Sequence, residues 1–225
     1  MNRTKIDWCD YSWNTVTGCK NGCWYCYARK IRQRFWPGMP FDQLATYDER
    51  LDDPIKVKKP SRIFVGSMTD LFAPWQPRYN VKNILKIVRK CPQHTFIFLT
   101  KSPFGYKYWS FPDNCWLGVT ITSYEDWSRI AQLVAYKGSK NLTFASVEPI
   151  LGDFNTSYLY LVDWIILGAL TGPGSVKRAP VKQEWIERAV KETRRLNIPL
   201  FIKSSILGHY TKKKIQEYPI KRRFH

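Results

Sequence analysis

The stretches Thr95-Phe-Ile-Phe-Leu-Thr100 and Trp116-Leu-Gly-Val-Thr-Ile121 decide the fold, because both are apolar almost without interruption. A strand with one face in water alternates apolar and polar residues. A strand covered on both faces does not, so these runs predict parallel strands sandwiched between helices. Outward from them the signature recurs at Arg62–Gly66 (RIFVG), Leu142–Val147 (LTFASV), Trp164–Gly168 (WIILG) and Pro199–Lys203 (PLFIK), with one more strand expected over Ser12–Thr17. Helical spacing fills the gaps. Arg78–Lys90 puts Val81, Ile84, Leu85 and Val88 on one face, and Cys26–Phe35, Tyr124–Tyr136, Val181–Leu196 and Ile206–Tyr218 are the other expected helices. Alternating β and α elements predict an α/β fold: a single domain over residues 1–225, built as a partial (β/α)6–7 barrel of mainly parallel strands. Seven strands fall short of a full eight-unit barrel, and a doubly wound sheet is the alternative. Pro37–Pro60 and Thr171–Pro180 are the longest irregular connections, where barrels carry function.

With 225 residues, 44% of them hydrophobic and ten of them Trp, the chain has ample core material, which excludes whole-chain disorder. The longest apolar run, Trp164–Leu170, is far shorter than the ~20 residues that cross a bilayer. The start, MNRTKIDWCDYSW, has no apolar core of a secretory signal, so a soluble, cytoplasmic chain with no membrane association is expected. Thirty-six Lys and Arg against 18 Asp and Glu give a net charge of +18. Charge of that size opposes compaction and points to a polyanionic partner, nucleic acid before membrane; solubility alone is the bland alternative. The cations gather at Arg29–Arg34, Lys56–Arg62, Lys177–Arg178, Arg194–Arg195 and a basic C-terminal tail with Lys212–Lys214 and Lys221–Arg223. Trp36, Trp75, Tyr106, Tyr108 and Trp109 lie in loop-like stretches and are candidates for stacking on bases.

Six cysteines occur, and three of them form Cys19-Lys-Asn-Gly-Cys23-Trp-Tyr-Cys26, a C-x3-C-x2-C run. In a cytosolic chain a disulfide framework is improbable, and three thiolates on one short loop suit a soft metal or an iron–sulfur cluster. Structural zinc wants a fourth ligand, for which Cys9 is the nearest choice.

This run, with Tyr25 immediately before its last cysteine and a strand expected just before its first, resembles the radical S-adenosylmethionine (SAM) superfamily. The segments DWCDYSWNTVTGC, RIFVGSMTDLF, FIFLTKSP, WLGVTI, FASVEPILG and WIILGALTGPG resemble a short phage- and prokaryote-type group within it. The resemblance implies that Cys19, Cys23 and Cys26 hold a [4Fe–4S] cluster in a loop after the first strand, whose open iron chelates SAM. One electron, from a donor such as flavodoxin or ferredoxin, then releases a 5′-deoxyadenosyl radical. It further implies that Ser67, Thr69 and Asp70 meet the SAM amino group, Lys101 its carboxylate or ribose, Thr120 and Thr122 the ribose, and that Tyr25 packs beside the adenine. Glu148 and Lys203 stand at expected strand ends, where barrel enzymes place working residues.

Among characterised members the chain resembles spore photoproduct lyases, which repair a thymine photolesion in DNA and share the tyrosines that flank the last cysteine, here Tyr25 and Tyr27. Those enzymes carry a hydrogen-donating cysteine in the stretch that reads Gly66-Ser67-Met68-Thr69-Asp70 here, so Tyr25, Tyr27 or another tyrosine is the expected donor instead. The resemblance implies a monomeric enzyme acting on nucleic acid, DNA before RNA. Modification of an RNA base or of a nucleotide-like substrate is the second reading, and a metal-stabilised nucleic-acid-binding module without catalysis the third.

Overall fold

The computed structural model describes residues 1–137, 140–171, 179–206, 210 and 214–219. It divides into two compact units, Met1–Trp116 and Leu117–His225. In chain order the first unit carries β1 (Asn2–Arg3), β2 (Tyr11–Trp13), β3 (Val16–Thr17), α1 (Tyr27–Phe35), β4 (Ala45–Thr46), β5 (Arg62–Val65), α2 (Arg78–Lys90) and β6 (Thr95–Thr100). Strands β1, β2, β5 and β6 lie side by side in that order. β1 runs antiparallel to β2, whereas β2, β5 and β6 are parallel, with Trp13 opposite Val65 and Val65 opposite Phe98. β3 and β4 form a separate antiparallel pair. On β6 the consecutive residues Phe96, Ile97 and Phe98 are all fully buried, so both faces of the strand are covered. Each such side chain contributes about 1.5–3 kcal/mol by leaving water.

Strand β7 (Cys115–Ile121) carries the boundary between the units. The second unit continues with α3 (Ser128–Tyr136), β8 (Leu142–Val147), β9 (Trp164–Leu167), α4 (Gln183–Arg195) and β10 (Leu200–Ile202). β8, β9 and β10 are parallel neighbours, with Val147 opposite Leu167 and Leu167 opposite Ile202. Gly118 in β7 is required by a close approach: a Cβ there would meet the Phe144 ring at 2.3 Å. The fold is mixed α/β with largely parallel strands, as the apolar runs predict.

Four local expectations are corrected. The strand expected over Ser12–Thr17 breaks into β2 and β3, because Asn14 leaves the ladder to hydrogen-bond the Ser67–Met68 turn. The Tyr124–Tyr136 helix starts with a 3-10 turn at Glu125–Trp127, where Asp126 accepts the backbone N–H groups of Thr122 and Ser123. Of the closing helix expected over Ile206–Tyr218, residues 214–218 run extended beside β10. There Ile202 N–H donates to Ile215 C=O, Glu217 N–H donates to Leu200 C=O, and Gln216 bridges Phe201. Tyr106 is no surface aromatic: its ring is fully buried against Phe72 and Phe111. Lys177–Arg178, most of Thr171–Pro180, Lys212, Lys213 and Lys221–Arg223 lie outside the described residues. Arg194 and Arg195 pair with Glu217 and Glu192, so that cluster is locally neutralised. No described helix is long and apolar enough to cross a membrane.

Candidate functional site

The cysteine loop is built into the first unit at both ends. Gly18 has φ +101°, and a Cβ there would stand 2.3 Å from the Gln43 carbonyl oxygen, so only glycine lets the chain pass. Gly18 N–H donates to Met68 C=O at 3.0 Å and Cys19 N–H to Phe41 C=O at 2.7 Å, which fixes where the first thiol leaves the fold. Cys26 N–H donates to Cys23 C=O at 3.3 Å, and Cys26 forms the N-cap of α1. Cys19 and Cys26 pack against Ala28, Phe41 and Met68.

Three cross-links tie this loop and the start of α1 to the C-terminal ends of β5 and β6. The first runs through Asp70, which is buried. Its Oδ1 accepts from Thr100 Oγ1 at 2.5 Å and Phe72 N–H at 3.3 Å, and its Oδ2 from Lys101 N–H and Asn21 Nδ2, both at 3.0 Å. A carboxylate offers about four lone-pair positions, so this one is filled by the chain. The second link is Lys101 Nζ donating to Tyr25 Oη at 2.8 Å. The third is Tyr27 O–H donating to Ser67 C=O at 2.7 Å. Ser67 itself exchanges hydrogen bonds with the Asn14 amide, 2.9 Å from Nδ2 and 3.2 Å from Oδ1.

The cross-links therefore bring Asn21, Tyr25 and Tyr27 to Asp70, Lys101 and Ser67, while Cys19 and Cys26 pack against Met68. Thr69 stands in the same turn, and its Oγ1 is buried without a hydrogen-bond partner. A buried hydroxyl left unpaired costs about 1–3 kcal/mol, so such a group marks a place where a further polar partner fits. The second unit holds the remaining expected residues. Thr120 C=O accepts from Arg129 at 2.8 Å. Thr122 donates its hydroxyl to Asp126 at 2.8 Å. Glu148 pairs with Lys203 across Gly168, where a Cβ would meet Glu148 Cγ at 2.8 Å. The sequence reading missed Asn14, Asn21 and Thr100. Their one signal is a polar residue directly beside an apolar strand or between two cysteines.

Burial marks out the first thiol. Burial first, then the negative charges of Asp70, Cys26 and Cys23, push the Cys19 thiol up to about 11. Cys23 and Cys26 thus lie within electrostatic range of Cys19. Even so, among the described residues no group of three or more His, Cys, Asp or Glu side chains is disposed to hold a metal ion. The donor set still fits an iron–sulfur cluster in kind, with three thiols on one loop and an unpaired buried hydroxyl in the turn against which that loop is pinned.

The fold is similar to that of spore photoproduct lyase. The structure of that enzyme complexed with dinucleoside spore photoproduct matches with a TM-score of 0.63 and 11% identity, over 89% of this chain and 78% of that one. A single-substitution mutant of the enzyme gives 0.62 and 10%, again over 89% and 78%. A second mutant, with dinucleoside spore photoproduct, gives 0.60 and 13% over the same shares. At these identities the likeness is one of fold. No curated protein sequence matches the chain. One family model spans it almost end to end, over residues 3–223, and the chain belongs to that family, described as Protein of unknown function (DUF5131).

Proposed function

We propose that this chain is a radical SAM enzyme that acts on nucleic acid, most concretely a lyase that repairs a thymine photolesion in DNA, on a partial (β/α) barrel. The observation that carries the reading is the Cys19–Cys26 loop, tied by Asn21–Asp70 and Tyr25–Lys101 to strand ends of a fold that spore photoproduct lyase shares. Cys19, Cys23 and Cys26 would hold a [4Fe–4S] cluster, which with SAM and one electron from a donor such as flavodoxin or ferredoxin supplies a 5′-deoxyadenosyl radical.

The chain's own residues then bind and orient. Thr69 Oγ1 gains the partner it lacks by meeting a polar group of SAM, beside Ser67. Lys101, held toward Tyr25, places a positive charge for a carboxylate at the end of β6. Asp70 holds the loop in place through its four donors. Thr120, Thr122 and Glu148 are the further SAM contacts that the resemblance implies. Tyr25 and Tyr27 carry the O–H groups that return a hydrogen atom to the product radical, a task for which the Gly66–Asp70 turn has no thiol. The partner is read as nucleic acid because of the +18 net charge, as DNA before RNA because of the likeness to spore photoproduct lyase, and the chain as a cytoplasmic monomer.

The test is anaerobic reconstitution with iron and sulfide, then SAM and dithionite, with 5′-deoxyadenosine as the readout. Wild type should form it and Cys23→Ala should not. Ultraviolet-irradiated thymine-rich DNA is the first substrate to add. A protein that takes up zinc instead and leaves SAM whole would sink the reading.

A further inference from the structure

Helix α1 presents an apolar stripe to solvent directly after the cysteine loop. Tyr27, Ile31 and Phe35 recur every four residues and are all exposed, while Ala28 and Arg32, each one residue further round the helix, are buried. Each of the three is more than a third exposed, Phe35 by 62%. Trp24 continues the stripe on the loop side at 53%, and Met39 adds an exposed side chain after the helix. At 1.5 Å per residue the stripe runs about 12 Å along the helix. Exposed apolar groups concentrated in this way are a binding surface rather than scatter.

The charge around the stripe selects the partner. From Tyr11 to Phe41 there is no Asp or Glu, while Lys20, Arg29, Lys30 and Arg34 surround it. The Arg34 guanidinium lies 5.5 Å from the Phe35 ring centroid. Cations alone suit the backbone of a duplex, whose base faces are hidden in the stack. Cations interleaved with exposed rings suit unstacked bases, whose flat faces cover the rings while the phosphates meet the cations.

We propose that the exposed face of α1, with Trp24, Tyr27, Ile31, Phe35 and flanking Arg29, Lys30 and Arg34, is a docking surface for single-stranded or locally opened nucleic acid. This rests on the reading of the chain as a nucleic-acid enzyme and deepens it: the substrate is engaged beside the cysteine loop through unpaired bases, not through duplex backbone alone.

The experiment is fluorescence anisotropy with a short labelled oligothymidylate and a duplex of the same length, over a salt series. The single strand should bind more tightly than the duplex. The double variant Ile31→Ser/Phe35→Ser should weaken single-strand binding about tenfold or more, as loss of one base stack implies, with the salt slope unchanged. Arg34→Glu should weaken it and flatten the slope. Tyr160→Ser, an equally exposed ring in the other unit, should change nothing. Circular dichroism confirms folding of each variant. Equal affinity of the double variant, or a duplex preference, overturns the proposal, as does a surface that ignores oligonucleotides yet binds an acidic electron-carrier protein in a Phe35-dependent way. Wild-type 5′-deoxyadenosine formation, read in parallel, separates the two readings. Strand binding without SAM cleavage fails the enzyme reading alone, and SAM cleavage without strand binding fails this one alone.

Discussion

At position 32 helix α1 turns a guanidinium into the protein interior, where Nη1 donates to Thr17 Oγ1 at 2.5 Å and Nε and Nη2 find no hydrogen-bond partner among the described residues. A buried charge without a carboxylate is unfavourable, and replacing such groups with apolar side chains of similar volume is neutral or stabilising. Arg32→Met should therefore leave the urea midpoint unchanged or raise stability by about 1–4 kcal/mol. Thr17→Val should lower it by about 1–3 kcal/mol, because the guanidinium then loses its acceptor. A large loss of stability in Arg32→Met would show that the charge is compensated after all. Nothing local distinguishes this arginine from its neighbours in the RKIRQR run. The sequence reading treated the run as one basic cluster, and only the packing of α1 separates the buried member from the exposed ones. The cysteines were legible because their spacing is itself the signal. Asn14 and Asn21 were not, since the role of a polar side chain in a loop depends on which distant strand end it reaches.

The segment after β10 shows how an element is misread. Ile206–Tyr218 has a helical arrangement of apolar residues, yet residues 214–218 pair with β10, and Trp164 Nε1 donates to Glu217 C=O at 2.9 Å. The free edge of a strand and a buried indole N–H outweigh local propensity there, and neither is visible in a window of sequence. The parallel strands were legible for the opposite reason: burial on both faces writes itself into every residue of the run. Glu217 also accepts from both Arg194 nitrogens, at 2.7 and 2.9 Å, and from Leu200 N–H at 3.1 Å. Those hydrogen bonds, Arg194's first, hold its carboxyl below the ordinary glutamate range against the opposing effect of burial. A carboxyl lowered in the folded state contributes stability at pH values above its unfolded pKa and loses it as pH falls through the folded value. Glu217 is 40% exposed, so the contribution is discounted to about 0.5–1 kcal/mol. Glu217→Gln should be less stable than wild type by that amount at neutral pH, and the gap in urea midpoint should close as the pH falls below the ordinary glutamate range. A gap that persists in acid would mean that packing, not charge, carries the difference.

On the scale of the whole chain the governing quantity is the net charge of +18, the excess of Lys and Arg that remains even with every Asp and Glu paired. Like charges in a compact body repel, and salt screens that repulsion over about 8 Å at physiological ionic strength. The thermal midpoint should therefore rise as sodium chloride is taken from low to physiological concentration, and a flat or falling midpoint would show that the ion pairs outweigh the repulsion. Affinity for a polyanion should move the opposite way, because counterions compete for the same cations. The apolar stripe on α1 gives this balance a practical edge. Mutual repulsion keeps copies of the ligand-free chain apart in dilute buffer, and concentrated salt removes that barrier while strengthening the attraction between wetted rings. Colloidal behaviour should thus oppose conformational stability: the ionic strength that best protects each folded molecule should also bring the exposed Trp24 and Phe35 of different molecules together, so the oligonucleotide proposed to dock there, rather than added salt, should keep the chain in solution.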